Sequence, residues 1–245
     1  MEQRFLTALP VFNELDSVDR VLDEVKRYSE NVLVVDDGST DGTHEVLMRR
    51  SDISLVCHKS NRGYGAALIT AFDFAISNGF DYLVTIDCDG QHEPQRIRSL
   101  VETLEASKAD IVSGSRYLEK FDDNSQPPAQ RQWINQQITA DINERLGFEI
   151  TDAFCGFKAY HVESLKKMSL TETGYAMPLE LWVQAACAKL QIVEVAVPLI
   201  YLDENRSFGG DLDDAVTRLN YYHQVLDRSF RRLPNDCSKL RELAG

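Results

Sequence analysis

The sequence predicts an α/β protein, a mainly parallel sheet with helices on both faces. Three observations carry this. Short β-branched runs alternate with amphipathic segments along the first half of the chain. Runs such as Asn31-Val-Leu-Val-Val-Asp36 are apolar without a break, as in strands covered on both sides. The first four runs each end in a polar cluster, the place where open parallel sheets bind ligands. With 245 residues and 43% apolar content, the chain can bury a proper core.

The elements follow in order. Phe5–Pro10 is the first strand, and Val18, Val21, Leu22 and Val25 give one apolar face to a helix over Asp16–Tyr28. The second strand, Asn31–Asp36, runs into Asp36-Asp37-Gly38-Ser39-Thr40-Asp41-Gly42-Thr43. There Gly38, Ser39 and Gly42 read as turn residues, and Thr40 or Asp41 as an N-cap for a helix through Val46 and Leu47. Ile53–Cys57 is the third strand. Asn61-Arg62-Gly63-Tyr64-Gly65 opens an Ala-rich helix to Ala75, and the fourth strand starts at Tyr82. A helix over Pro94–Glu105 and a strand over Asp110–Ser113 complete the alternation. Beyond Tyr117 the organisation changes. Leu118–Gln130, with an acidic pair and Pro127-Pro128, is long enough to be a mobile lid. A polar helix follows over Arg131–Leu146, then a return strand over Thr151–Tyr160, a helix over Met177–Leu190, a last strand over Ile192–Tyr201 and a flexible link over Asp203–Gly210. The final helix spans Asp211–Phe230.

Chemistry concentrates in Tyr82-Leu-Val-Thr-Ile-Asp87-Cys88-Asp89-Gly90-Gln91. In extended backbone, residues i, i+2 and i+4 share a side, so Asp87, Asp89 and Gln91 aim three oxygen groups at one point while Cys88 faces away. Two carboxylates and an amide oxygen suit Mg²⁺ or Mn²⁺ and leave positions for water or a substrate's phosphates. The plainer alternative is that these acids end a strand and stabilise the start of the helix near Pro94. Asn13/Glu14, Asp36/Asp37 and Asn61/Arg62, at the ends of the other strands, converge on the same edge of the sheet.

Composition narrows the function. A net charge of −13 disfavours DNA and RNA as partners, because phosphate backbones need a positive surface. Neither a secretory signal nor a membrane-length apolar run is evident, so the expectation is a cytoplasmic protein. Five widely spaced cysteines without a C-x-x-C pair read as free thiols in a reducing compartment. The dinucleotide fingerprint G-x-G-x-x-G is missing after the first strand, as is the P-loop, which disfavours a nicotinamide dehydrogenase or P-loop NTPase.

Together, Pro10-Val-Phe-Asn13-Glu14, Val35-Asp36-Asp37-Gly38-Ser39-Thr40-Asp41-Gly42-Thr43, Asn61-Arg62-Gly63-Tyr-Gly65 and Asp87-Cys-Asp89-Gly-Gln91 resemble the family 2 glycosyltransferases of GT-A fold. Ser113-Gly114-Ser115-Arg116-Tyr117, Asp152-Ala-Phe-Cys-Gly156-Phe157-Lys158-Ala-Tyr160, Gly174-Tyr175 with Glu180, and Arg206 extend the likeness to the dolichyl- or polyprenyl-phosphate mannosyl/glucosyltransferase branch. The resemblance implies one Rossmann-like GT-A domain over 1–230. Within it, 1–114 would hold a nucleoside diphosphate sugar, 115–210 the acceptor, and 211–230 a terminal helix, with 231–245 a tail. It further implies that Pro10, Phe12 and Glu14 border the nucleoside, with Arg62 and Gly63 beside the donor, and that Asp37 bonds the base. Asp87 would sit near the ribose or diphosphate, with Asp89 and Gln91 on a Mg²⁺ or Mn²⁺ ion. Arg116, Arg131 and Arg206 would offer charge to the donor diphosphate or an acceptor phosphate.

The implied reaction moves a hexose, mannose or glucose, to a polyprenyl phosphate with inversion. A phosphate acceptor, with a second pKa of about 6, needs no strong base. A hydroxyl acceptor on a saccharide or small molecule does, and Glu180 or Asp152 is then the candidate. A catalytically silent sugar-nucleotide-binding regulator of a membrane partner is the third reading. The family's basic element after the late Arg is replaced here by Asp211-Leu-Asp213-Asp214, which leaves the acceptor open. Phe230 and Leu233 beside Arg231 and Arg232 read either as a peripheral membrane or partner contact or as a solvated helix end. Oligomeric state is open.

Overall fold

The computed structural model describes residues 4–122, 124–125, 127–202 and 210–243. Seven strands form one sheet: β1 Phe5–Val11, β2 Val32–Asp36, β3 Ser54–Cys57, β4 Tyr82–Thr85, β5 Ile111–Ser115, β6 Lys158–His161 and β7 Ile192–Ala196. Their order is β3-β2-β1-β4-β6-β5-β7. Only β6 is antiparallel to its neighbours, so the expected α/β class with a mainly parallel sheet holds.

The helices are α1 Val18–Lys26, α2 Thr43–Leu47, α3 Tyr64–Ser77, α4 Ile97–Ser107, α5 Ala129–Leu146, α6 Val162–Leu165, α7 Met177–Cys187, α8 Ala215–Arg232 and α9 Ser238–Arg241. One face of the sheet carries α3, α5, α6, α7 and α8, and the other carries α1, α2 and α4. Every residue of β2 is buried, which is why its sequence is apolar without alternation. In α1, Val18, Val21, Leu22 and Val25 make the buried stripe and leave the acids to solvent. β1 lies between β2 and β4, where the direction of strand succession reverses. The crevice at the C-terminal ends of β1 and β4 is therefore the topological switch point.

Several expectations are corrected. The return strand is only Lys158–His161, because side chains take the backbone N–H groups ahead of it. Thr151 and Asp152 donate to Glu194, and Ala153 to Thr139 Oγ1. The last strand stops at Ala196. Pro198 has no N–H to give, and the Leu199 and Tyr201 N–H groups bond Asn124 Oδ1 and Ser125 Oγ at 2.9 and 3.0 Å. Those same bonds tie Asn124 and Ser125, within the segment expected to be a mobile lid, to the chain after β7. The cysteines are not all free thiols: Cys187 and Cys237 form a disulfide, while Cys57, Cys88 and Cys155 are free. Phe230 and Leu233 do not face a membrane or solvent; both are buried against the helical face of the core. No helix among the described residues is long and apolar enough to cross a membrane.

Candidate active site

A cavity of about 570 Å³ opens at the switch point. Pro10, Phe12 and Glu14 line it from the end of β1, Asp37 from β2, Gly63 and Tyr64 from the start of α3, and Asp87, Asp89 and Gln91 from beyond β4. Arg116, Arg131 and Arg218 line it from the far side, after β5 and from α5 and α8. The strand-end clusters thus meet, but not every member reaches the cavity. Asn13 is a left-handed turn residue, at φ 55°, whose side chain accepts from the Thr40 N–H. The Arg62 side chain is exposed and is not part of the cavity wall; its N–H donates to Asp37 Oδ1.

The acid cluster is built differently from the expected extended run. β4 ends at Thr85, and residues 86–91 form a turn with Gly90 at φ 76°. The Gln91 N–H donates to Asp89 Oδ1 at 2.9 Å, closing a local Asx turn. Asp87, Asp89 and Gln91 still share one cavity wall, but Cys88, expected to face away, lies at that wall too, with almost no exposure. The Asp87 carboxylate is held in place. Tyr64 OH donates to Oδ1 at 2.9 Å, and His92 Nε2 stands 3.4 Å from Oδ2. Burial, reinforced by Asp87, raises the Tyr64 phenol, which therefore stays protonated and remains a donor. Gly156 leaves the space for this arrangement, since a Cβ there would lie 2.4 Å from Asp87 Oδ2. The donor set is hard and oxygen-rich, oriented from behind by a phenol and an imidazole, and so fits Mg²⁺ or Mn²⁺.

Asp37 is a clamp as well as a cavity wall. Its Oδ1 accepts from the Arg62 N–H at 2.9 Å and pairs with His58 Nδ1 at 2.6 Å, while Oδ2 accepts from the Gly63 N–H at 2.8 Å. Gly63, at φ 104°, could not carry a side chain, because a Cβ would lie 2.3 Å from the Thr173 carbonyl oxygen. The loop before α3 is fixed as a result. Oδ2 retains a lone pair that could accept from a base N–H.

On the far side, Arg116 forms a bidentate pair with Asp152, Nε to Oδ2 at 2.6 Å and Nη2 to Oδ1 at 2.9 Å. Asn135 Nδ2 adds a third bond to Asp152 at 2.7 Å. Burial alone would raise the Asp152 carboxyl, but the Arg116 charge and these hydrogen bonds hold it well below the usual carboxylate range. It is a poor proton acceptor. Glu180 is engaged with neighbouring groups too. It is buried in α7 and is not part of the cavity wall; its oxygens accept from the Thr171 N–H and Oγ1 and from the Glu172 N–H. Arg131 reaches the cavity with its guanidinium 5.4 Å from the Tyr201 ring centroid. Arg206 lies outside the described residues.

Sequence reasoning missed Tyr64 as a positioning residue, although it stands inside a matched motif. It missed Asn135 and Arg218 altogether. Arg218 occupies an amphipathic helix, Ala215–Arg232, with several other charged residues, and nothing in the local pattern distinguishes it. Burial lowers its guanidinium from the usual range, and the Arg131 charge pushes the same way. Tyr64 and Tyr175 stack at 5.9 Å along one wall.

The model of glycosyl transferase family 2 matches residues 7–169. This chain is a family 2 glycosyltransferase. It is 31% identical to the undecaprenyl-phosphate mannosyltransferase of Micrococcus luteus, over 88% of this chain and 92% of that one. It is 32% identical to the polyprenol monophosphomannose synthase of Mycolicibacterium smegmatis, over 80% and 77%. With the UDP-N-acetylglucosamine–dolichyl-phosphate N-acetylglucosaminyltransferase of Methanococcus voltae it shares 27% identity, over 82% and 87%. Among solved structures, glucosyl-3-phosphoglycerate synthase of Mycobacterium tuberculosis, in complex with Mn²⁺, UDP and glucosyl-3-phosphoglycerate, superposes with a TM-score of 0.69 at 18% identity. That match covers 97% of this chain and 81% of the other. The GT-A fold expected for a family 2 enzyme is therefore the fold observed.

Proposed function

We propose that this glycosyltransferase is metal-dependent and inverting, and moves a hexose from a nucleoside diphosphate sugar to a polyprenyl phosphate. The observation that carries this is the division of the cavity. Carboxylates Glu14, Asp37, Asp87 and Asp89 come from the ends of β1, β2 and β4, and guanidinium groups Arg116, Arg131 and Arg218 from the opposite elements. The three relatives named above all carry a polyprenol-type phosphate in their names, while two name mannose and one N-acetylglucosamine as the sugar. The similarity therefore supports the acceptor more strongly than the donor.

The chemistry follows from these residues. Pro10, Phe12, Glu14 and Asp37 receive the nucleoside, and Gly63 brings bare backbone close to it. Asp87, Asp89 and Gln91 would hold Mg²⁺ or Mn²⁺, which supplies positive charge to the departing diphosphate. Tyr64 and His92 keep Asp87 aimed. Arg131 and Arg218 attract and orient the dianionic acceptor, and the guanidinium groups stabilise negative charge as the sugar–phosphate bond breaks. A phosphate oxygen is already ionised at neutral pH, so transfer proceeds without a base. This agrees with Asp152 and Glu180, the two candidate bases, being committed to Arg116 and to the 171–172 backbone. A polyprenyl acceptor sits in a lipid bilayer, and transfer then takes place at a membrane surface.

The test is calorimetric titration of the protein with GDP-mannose and UDP-glucose, each with Mn²⁺ and with a chelator, followed by transfer to polyprenyl phosphate in vesicles. Metal-dependent binding of a donor and formation of a lipid-linked sugar are expected. Asp89→Ala should abolish metal-dependent donor binding while the fold persists. Undiminished binding by that variant with Mn²⁺ would remove the metal claim, and transfer to a saccharide hydroxyl but not to the lipid would remove the acceptor.

A further inference from the structure

We propose that Asp36, His44 and Cys57 form a second metal site, for a borderline cation of the zinc class, distinct from the acid cluster beyond β4. The three residues come from the end of β2, the first turn of α2 and the end of β3, and one ligand atom from each lies within 4.8 Å of the others. Strand register makes the meeting unavoidable, because Asp36 and Cys57 are paired across parallel β2 and β3. His44 is delivered by the turn that Asp41 fastens at the Thr43 N–H, 3.0 Å away.

The geometry suits one small ion. His44 Nδ1 lies 2.8 Å from Asp36 Oδ2 and 3.9 Å from Cys57 Sγ. Around tetrahedral zinc, with bonds of about 2.0–2.3 Å, ligand atoms stand roughly 3.3–3.6 Å apart. The two separations from His44 straddle that range, and Asp36 and Cys57 stand within 4.8 Å of each other, so modest side-chain shifts would complete the site. Asp36 is already oriented by the Ser39 N–H, which donates to its other oxygen, Oδ1, at 3.0 Å. Cys57 is exposed and the His44 side chain 41% exposed, leaving an open side for entry and for a water as fourth ligand. One oxygen, one nitrogen and one sulfur favour zinc-class ions over Mg²⁺ or Mn²⁺, whereas the all-oxygen set of Asp87, Asp89 and Gln91 has the reverse preference.

The position assigns the site a role. Successive residues of a strand point to opposite faces, so Asp36 and Cys57 look away from the cavity that Asp37 lines. On the cavity side, Asp37 and His58 already join β2 to the chain after β3 at 2.6 Å. A cation at Asp36, His44 and Cys57 joins the same two strand ends from the other face, and so steadies the loop that positions Asp37.

Cobalt gives the decisive readout. With excess Mg²⁺ present and no thiol reductant, Co²⁺ added to the protein should give a near-ultraviolet sulfur-to-cobalt charge-transfer band that saturates at one equivalent and is displaced by Zn²⁺. Cys57→Ser, an exposed change at the end of an edge strand, should remove the band, and Asp89→Ala should retain it. A native protein without the band, or a band that survives in Cys57→Ser, overturns the proposal. Alkylation of the unaltered protein is an independent check: Zn²⁺ at ten times its Kd should slow iodoacetamide labelling of Cys57 about tenfold, as the free fraction falls to about one in eleven. Unchanged labelling also overturns it.

Discussion

Gly156→Ala tests whether Asp87 must stand where the structure holds it. The added Cβ would lie 2.4 and 2.8 Å from the two Asp87 carboxylate oxygens and 2.8 Å from Tyr64 OH. An ordinary carbon–oxygen contact is about 3.3 Å, so the nearer oxygen must retreat by about 0.9 Å. The colliding atoms are side-chain ends rather than backbone, and Gly156 is not among the glycines with positive φ. Stability should fall modestly: the lost Tyr64 hydrogen bond to the Asp87 carboxylate is worth about 1.5–3 kcal/mol, against roughly 0.4–1 kcal/mol regained by stiffening the unfolded chain. Catalysis should suffer more. A misplacement of about 1 Å near the reacting groups lowers rate by about 10²-fold, equivalent to roughly 2.7 kcal/mol. The assay pairs steady-state transfer kinetics with thermal unfolding on the same preparation. The expected result is kcat/KM down by about two orders of magnitude with Tm lowered by about 10 °C at most. Full activity would refute the assignment of Asp87 to the working site, and a collapse of Tm would make Gly156 a folding residue instead.

Other outcomes follow from the far side of the cavity. Asp152→Asn leaves Arg116 without its buried counter-charge and should destabilise the protein by about 3–5 kcal/mol, measured as a shift in urea midpoint. Because the Asp152 carboxyl is held below its unfolded value of about 3.9, its stabilisation is complete above that pH and is lost as pH falls further toward the folded value. The unaltered protein should accordingly lose stability below about pH 4 more steeply than the Asn variant, and parallel curves would contradict this. Glu180→Gln turns an amide against the Thr171 and Glu172 N–H groups. It should cost about 1.5–3 kcal/mol of stability while activity falls less than about tenfold. A loss of several orders of magnitude in a folded variant would instead identify a general base and a hydroxyl acceptor.

The sequence by itself was enough for everything encoded locally. Uninterrupted apolar runs announce strands buried on both faces, and the spacing of Val18, Val21, Leu22 and Val25 announces a helix, because periodicity is a property of neighbouring residues. Ligand-rich strand ends were legible for the same reason: in a parallel sheet they all lie on one edge. What only the tertiary structure decided involves partners far apart in the chain. Asp87 and Gly156, Glu180 and the 171–172 backbone, Asp152 and Arg116, and the Cys187–Cys237 bridge are pairs whose members look unremarkable alone. A carboxylate in the first turn of a helix has the same local signature whether it faces substrate or fastens a loop. Burial and hydrogen-bond partners separate those cases, and the chain's long-range course sets both; the segment before β6, which enters the sheet between β4 and β5, brings Gly156 against Asp87 and Asp152 against Arg116.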